Sequence, residues 1–103
     1  MIIYGSYLCG DCNNLKYNLD KNNVEYTYID ITSSIADLKA FLKIRDNSQL
    51  FDDVKKNGGI GIPFIVDNDY KTLNWEEYLR NLGYNDIEYI ETKTVCDIRN
   101  HNC

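Results

Sequence analysis

A chain of 103 residues, 44% hydrophobic and 26% charged, is the size of one domain with its own hydrophobic core. No apolar run approaches membrane-spanning length, so no membrane association is expected. The net charge is −5, with the lysines and arginines scattered among acids, which argues against nucleic acid, whose phosphates demand a basic surface.

Met1 to Gly5 reads as a short buried strand, and Gly5-Ser6 opens a loop. From Gly10 to Asp20 the pattern is helical, with Leu15 and Leu19 four apart on one face and Lys21-Asn22-Asn23 as its end. Val24, Tyr26 and Tyr28 alternate with polar residues and predict a second strand running to Ile31. Strand, helix, strand over so few residues is a βαβ unit with two parallel strands. Thr32-Ser33-Ser34 offers N-caps for a helix with Ile35, Leu38, Phe41 and Leu42 as its apolar stripe. Asp46-Asn47-Ser48 interrupts it, and Leu50, Phe51 and Val54 continue a helical pattern to Asn57-Gly58-Gly59; one kinked rod and two separate pieces both fit.

Ile60 to Val66 calls for a strand, yet it holds the chain's one proline. Proline cannot donate to a ladder, which puts Pro63 at the start of the third strand. Asp67-Asn68-Asp69 is a turn, and Tyr70 to Leu73 returns as an antiparallel fourth strand. Asn74, with Glu77 three residues on, begins a helix whose apolar face is Trp75, Tyr78, Leu79 and Leu82, and Gly83 suits its end. The expected domain therefore spans residues 1–83. Residues 84–103 read as an extended or loosely packed tail holding a second cysteine pair, Cys96 and Cys103.

The chemistry centres on Cys9-Gly10-Asp11-Cys12, at the junction of the first strand and first helix. The N–H groups of a helix's first turn lack partners and favour negative charge. A cysteine there is more easily a thiolate, the form that attacks disulfides or binds metal. The opening residues show neither a basic start nor a small-residue cleavage site, so a cytoplasmic setting is expected, where such a pair is redox-active or metal-binding rather than a structural staple. Cys9 is expected at the exposed helix end, with Cys12 one turn on and more covered. Asp11 pulls two ways: it suits the helix dipole, and it opposes a second negative charge on Cys9.

The element order, with Cys-x-x-Cys before the first helix and Ile62-Pro63 opening the third strand, resembles the thioredoxin fold, and in its compactness the small bacterial glutaredoxin-related proteins. The resemblance covers roughly residues 1–83. It implies an α/β fold: a four-stranded mixed sheet, two parallel strands plus a C-terminal β-hairpin, flanked by helices. It implies a thiol–disulfide oxidoreductase with Cys9 as nucleophile and Cys12 as resolving thiol. It also implies a cis Ile62-Pro63 bond beside Cys9, leaving the Ile62 N–H and C=O for an extended substrate. The substrate-binding residues expected are Tyr7, Gly10, Asp11, Ile62, Pro63, Asn74 and Trp75. No cofactor is required, and glutathione is a candidate co-substrate. The partners implied are a disulfide-containing protein or glutathione, and a reductase or low-molecular-weight thiol as electron donor. The chain departs from the glutaredoxin pattern in having Gly10-Asp11 where Pro-Tyr is usual, and Ser6, Tyr7 and Leu8 where a glutathione-binding lysine is usual.

The competing class is a metal-binding or protein-interaction module on the same fold. Cys96, His101 and Cys103 could join Cys9 and Cys12 in a Cys₄ or Cys₃His zinc site, although the six residues separating Cys96 and Cys103 are loose for one. An iron–sulfur role is a further alternative. The acid run Asp52-Asp53 reads as a solvated helix face.

Overall fold

The computed structural model describes residues 1–90; Cys96, His101 and Cys103, and with them every expectation for the second cysteine pair, lie outside the described residues. Strands β1 (Ile2–Gly5), β2 (Thr27–Asp30), β3 (Phe64–Asp67) and β4 (Tyr70–Thr72) form one open sheet in the order β2-β1-β3-β4. The β1–β2 pair is parallel, and the β1–β3 and β3–β4 pairs are antiparallel. Helices α1 (Gly10–Lys21), α2 (Ile35–Asp46), α3 (Asp52–Lys56) and α4 (Trp75–Asn81) complete the α/β fold, with a 3-10 turn at Gln49–Phe51.

The period of two along a strand sends neighbouring side chains to opposite faces, and it divides the core in two. Ile3 and its cross-strand partner Ile65 pack against Leu15 and Leu19 of α1 and Trp75, Tyr78 and Leu79 of α4. Tyr4 and Phe64, the next pair, face the other way onto Phe41 of α2 and Phe51 of the 3-10 turn. The sheet thus carries α1 and α4 on one face and the α2 region on the other.

Several predicted boundaries move for identifiable reasons. The second strand starts at Thr27 rather than Val24, because the parallel register pairs Ile2 with Thr27 and leaves no β1 residue for the ladder to continue along. The two helical pieces are separate: Asn47 caps the end of α2, and the Ser48 hydroxyl accepts the Leu50 N–H to start the 3-10 turn. The third strand begins one residue after Pro63, which has no N–H to give a ladder. Ile35, Leu50 and Leu82 were expected on apolar stripes but are exposed; Ile35 is the first residue of its helix and Leu82 is the C-cap residue of α4.

The start of the tail is not loosely packed. Asn14 and Asn18, buried on the apolar side of α1, act as a polar clamp for residues 88–90. Asn18 accepts the Glu88 N–H at 2.9 Å and donates to the Glu88 carbonyl at 2.8 Å, while Asn14 Oδ1 accepts the Ile90 N–H at 2.7 Å. Lys21 Nζ reaches Glu88 Oε1 at 2.7 Å, and the Tyr89 ring meets Trp75 edge-on. Two asparagines four apart among the helix's leucines were the sequence signal for this arrangement.

Candidate functional site

The turn from β1 into α1 is built by Ser6 and Asp30. The Ser6 carbonyl accepts the Cys9 N–H at 3.0 Å, its hydroxyl accepts the Leu8 N–H at 3.1 Å, and that hydroxyl also pairs with Thr32 Oγ1 at 2.8 Å. Asp30, at the end of β2, accepts from the Thr32 N–H at 2.8 Å and from the Tyr7 N–H at 3.2 Å. Burial works to raise the Asp30 pKa, but the hydroxyl and N–H of Thr32, the Tyr7 N–H and the charge of Lys16 hold it below the usual carboxylate value.

Cys9 is the N-cap residue of α1, with extended backbone, and its sulfur accepts the Cys12 N–H at 3.3 Å. A sulfur therefore occupies the position where a serine or aspartate oxygen normally caps a helix. Both cysteines are free thiols. Hydrogen bonding from the Cys12 side chain is the largest influence on Cys9 and lowers its pKa; burial opposes it, the Cys12 N–H adds to it, and the Asp11 carboxylate raises the pKa by like charge. The net result is a Cys9 thiol more acidic than an ordinary one. Cys12 moves the other way: burial and its neighbour Cys9 push its pKa far up, so it stays a thiol. Two sulfurs one turn apart are thus differentiated into a thiolate former and a proton keeper.

The expectation of an exposed Cys9 is corrected. Cys9 is 1% exposed and Cys12 fully covered, both packed in the cluster that contains Ile31, Phe41, Ile62 and Phe64. The N-cap position turns the Cys9 sulfur inward toward the Cys12 N–H, and the Ile62 side chain closes the same cluster.

Asp11, between the two cysteines, lines a groove of about 460 Å³ that neither Cys9 nor Cys12 itself lines. Five of the seven expected binding residues line it: Asp11, Ile62, Pro63, Asn74 and Trp75. The Ile62–Pro63 bond is cis. The N–H and C=O of Ile62 are not engaged by any described residue. Gly61 precedes it at φ +99, and a Cβ there would meet the Phe51 ring at 2.6 Å, so the approach to Pro63 requires glycine twice over. Arg45 of α2 pins the same loop, donating from Nη2 to the Gly59 carbonyl at 3.0 Å. Asn74, also in the lining, caps α4 through the Glu77 N–H at 3.1 Å. Tyr7 and Gly10 are not in the lining. Tyr7 is 64% exposed, with its N–H held by Asp30 and its C=O accepting from Asn13 Nδ2 at 3.0 Å, and Gly10 is buried in the first turn of α1.

Three further residues stand at the site beyond the expected set. Asp53, exposed as expected on α3, also lines the groove, and so does Glu76. Tyr28 reaches from β2 to put its hydroxyl beside the Cys12 sulfur, with the two atoms 2.5 and 3.0 Å from the point where a Gly5 Cβ would stand. A glycine inside a buried strand was the available signal for that close approach. Among the described residues no three His, Cys, Asp or Glu side chains group as a metal site would need, and no helix is long and apolar enough to cross a membrane.

Fold and site together define an α/β protein with an open mixed sheet and a Cys-x-x-Cys pair capping its first helix. The chain is 35% identical over 65 residues to a protein of Haemophilus influenzae (strain ATCC 51907 / DSM 11121 / KW20 / Rd) described as an uncharacterized protein, across 63% of this chain and 76% of that one. The chain belongs to the family of that protein. No protein-family model matches the chain, and no solved structure matches it.

Proposed function

We propose that this protein is a glutaredoxin-like thiol–disulfide oxidoreductase on a thioredoxin fold, reducing protein or glutathione mixed disulfides through Cys9 and Cys12. The observation that carries the reading is the Cys9 sulfur as N-cap of α1, 3.3 Å from the Cys12 N–H and lowered in pKa, with Cys12 kept protonated behind it. The sheet order β2-β1-β3-β4, with α1 and α4 on one face and a cis-proline ahead of β3, supports the thioredoxin fold.

The chemistry follows from that differentiation. The Cys9 thiolate attacks one sulfur of the substrate disulfide; a Cys9–substrate bond forms, the substrate S–S bond breaks, and the leaving thiolate takes a proton from water. With Cys9 now neutral, its charge no longer adds to the raised Cys12 pKa, and the burial that is the larger cause is relieved in a locally opened state. Cys12 gives its proton to solvent and attacks the Cys9 sulfur; the Cys9–Cys12 bond forms, the Cys9–substrate bond breaks, and the second substrate thiolate leaves and is protonated by solvent. The protein dithiol is oxidised by two electrons and the disulfide is reduced by two. A low-molecular-weight thiol or a dithiol reductase restores the pair. Because Cys9 is buried, attack proceeds from a locally opened state, and its rate carries the opening equilibrium.

The test is a pair of single substitutions assayed with a protein disulfide. Cys9→Ser is expected to abolish reduction, whereas Cys12→Ser should accumulate a mixed disulfide on Cys9. Full activity in Cys9→Ser, or stoichiometric zinc or iron on native protein purified without chelator with both thiols protected, would count against the proposal.

A further inference from the structure

We infer that the groove selects a cationic substrate: an extended peptide segment of a protein disulfide that carries Lys or Arg next to its cysteine, in preference to glutathione disulfide. The inference rests on the oxidoreductase reading and names its substrate class. Among the described residues, every charged side chain lining the groove is a carboxylate, and the three come from different helices: Asp11 from α1, Asp53 from α3 and Glu76 from α4. No described lysine, arginine or histidine lines it. The rest of the wall includes Val54, Leu73 and Trp75, an apolar strip suited to the methylene stem of a long basic side chain whose charged head meets the acids. The N–H and C=O of Ile62, unengaged by any described residue, offer main-chain pairing to an extended strand.

Glutathione is a poor match for this surface. It carries more carboxylate than ammonium charge, and its disulfide is a net anion. A groove walled by acids repels it and concentrates cations instead. Glu76 accepts a hydrogen bond from the Tyr89 hydroxyl, which holds one of these carboxylates in place at the groove wall. The protein's net charge of −5 acts in the same direction at longer range.

The exchange itself is the one already written: the peptide disulfide is reduced to two thiols as Cys9 and Cys12 become a disulfide. The inference is tested on the reduced full chain with disulfide-linked peptides that differ only in the residue flanking cysteine, Lys, Gln or Glu, and with glutathione disulfide. Trp75, the chain's one tryptophan, reports from the groove wall. Each rate constant is divided by that of a simple dithiol with the same disulfide, which removes intrinsic reactivity. The Lys peptide is expected to exceed the Glu peptide and glutathione disulfide by about tenfold or more at low salt, shrinking as salt is added. Asp53→Asn with Glu76→Gln should bring that ratio to within about twofold. Equal normalised rates, a glutathione preference, or a ratio indifferent to salt in the wild type would overturn the inference while leaving the oxidoreductase reading intact. If no disulfide oxidises the protein to the Cys9–Cys12 form, the reading itself fails and takes the inference with it.

Discussion

Gly5→Ala probes the floor beneath the cysteine pair. A Cβ at this position would stand 2.5 Å from the Tyr28 hydroxyl oxygen, 3.0 Å from the Tyr28 ring carbon that bears it, and 3.0 Å from the Cys12 sulfur, where ordinary contact begins at 3.4 Å. Overpacking of this kind costs about 1–3 kcal/mol, against which replacing glycine in the unfolded chain returns about 0.4–1 kcal/mol. The net expectation is a destabilisation of about 1–2 kcal/mol. The Tyr28 ring is not free to swing aside without loss, because the Lys16 ammonium sits 4.3 Å from its centroid. The hydroxyl is buried, and its polar contact is with the Cys12 sulfur, without the geometry of a conventional hydrogen bond. Tyr28→Phe should therefore leave stability unchanged or raise it by up to about 1 kcal/mol, and it removes the nearest clashing atom. Made together with Tyr28→Phe, Gly5→Ala should lose roughly half its effect, a coupling of about 0.5–1 kcal/mol. Urea unfolding of the four proteins at one pH measures the cycle, with the m-value as a check on two-state behaviour. A neutral Gly5→Ala, or additive single effects within about 0.3 kcal/mol, would refute the close packing of Gly5, Tyr28 and Cys12.

Other perturbations have equally definite outcomes. Asn18→Ala removes two hydrogen bonds to Glu88 and leaves half-sheltered backbone groups unpaired, so urea unfolding should show a loss of about 2–3 kcal/mol, with faster amide exchange at Glu88; a loss under about 0.5 kcal/mol would mean that the clamp is not formed in solution. Asp11→Asn removes the negative charge that raises the Cys9 pKa, so the pH midpoint of Cys9 alkylation, already below that of an ordinary thiol, should fall further; a rise would contradict the electrostatics of the pair. Asp30 has a folded-state pKa below its unfolded value, so its stabilisation is fully present above the unfolded carboxylate pKa and is lost as pH falls through the folded one. Asp30→Asn should accordingly flatten the acid limb of the stability–pH curve and loosen the Tyr7 N–H, both visible by amide exchange across an acid titration.

Local signals in the sequence specify much of the fold. Strand alternation, the Asn74 cap, the turn at Asp67-Asn68-Asp69 and a proline that must precede a ladder each depend on a few adjacent residues. The open α/β sheet with one parallel pair followed from their order. The larger misses depend on tertiary partners. Val24 and Tyr26 alternate like strand residues, but they fall outside the ladder that begins at Ile2 and Thr27. Asn14 and Asn18 acquire their role only when residues 88–90 are laid against them. The cysteine pair was legible as chemistry because Cys-x-x-Cys at a helix start is a local arrangement. Burial of Cys9 was not, because the cover comes from Ile62, more than fifty residues away in sequence. The groove's acidity was legible only in part: Asp53 reads as a solvated helix face and stays exposed, yet the fold brings it to the groove that Asp11 and Glu76 also line.

The central claim is that Cys9 and Cys12 are a reversible dithiol, and the most direct measurement is the mass of the alkylated protein after equilibration in thiol–disulfide buffers of graded potential. A single transition is expected in which Cys9 and Cys12 lose alkylation together and peptide mapping finds one Cys9–Cys12 disulfide, with a midpoint inside the span of about −270 to −120 mV covered by known dithiol oxidoreductases. Persistence of both free thiols through that whole span, or oxidation that joins either cysteine to a different partner, would contradict it.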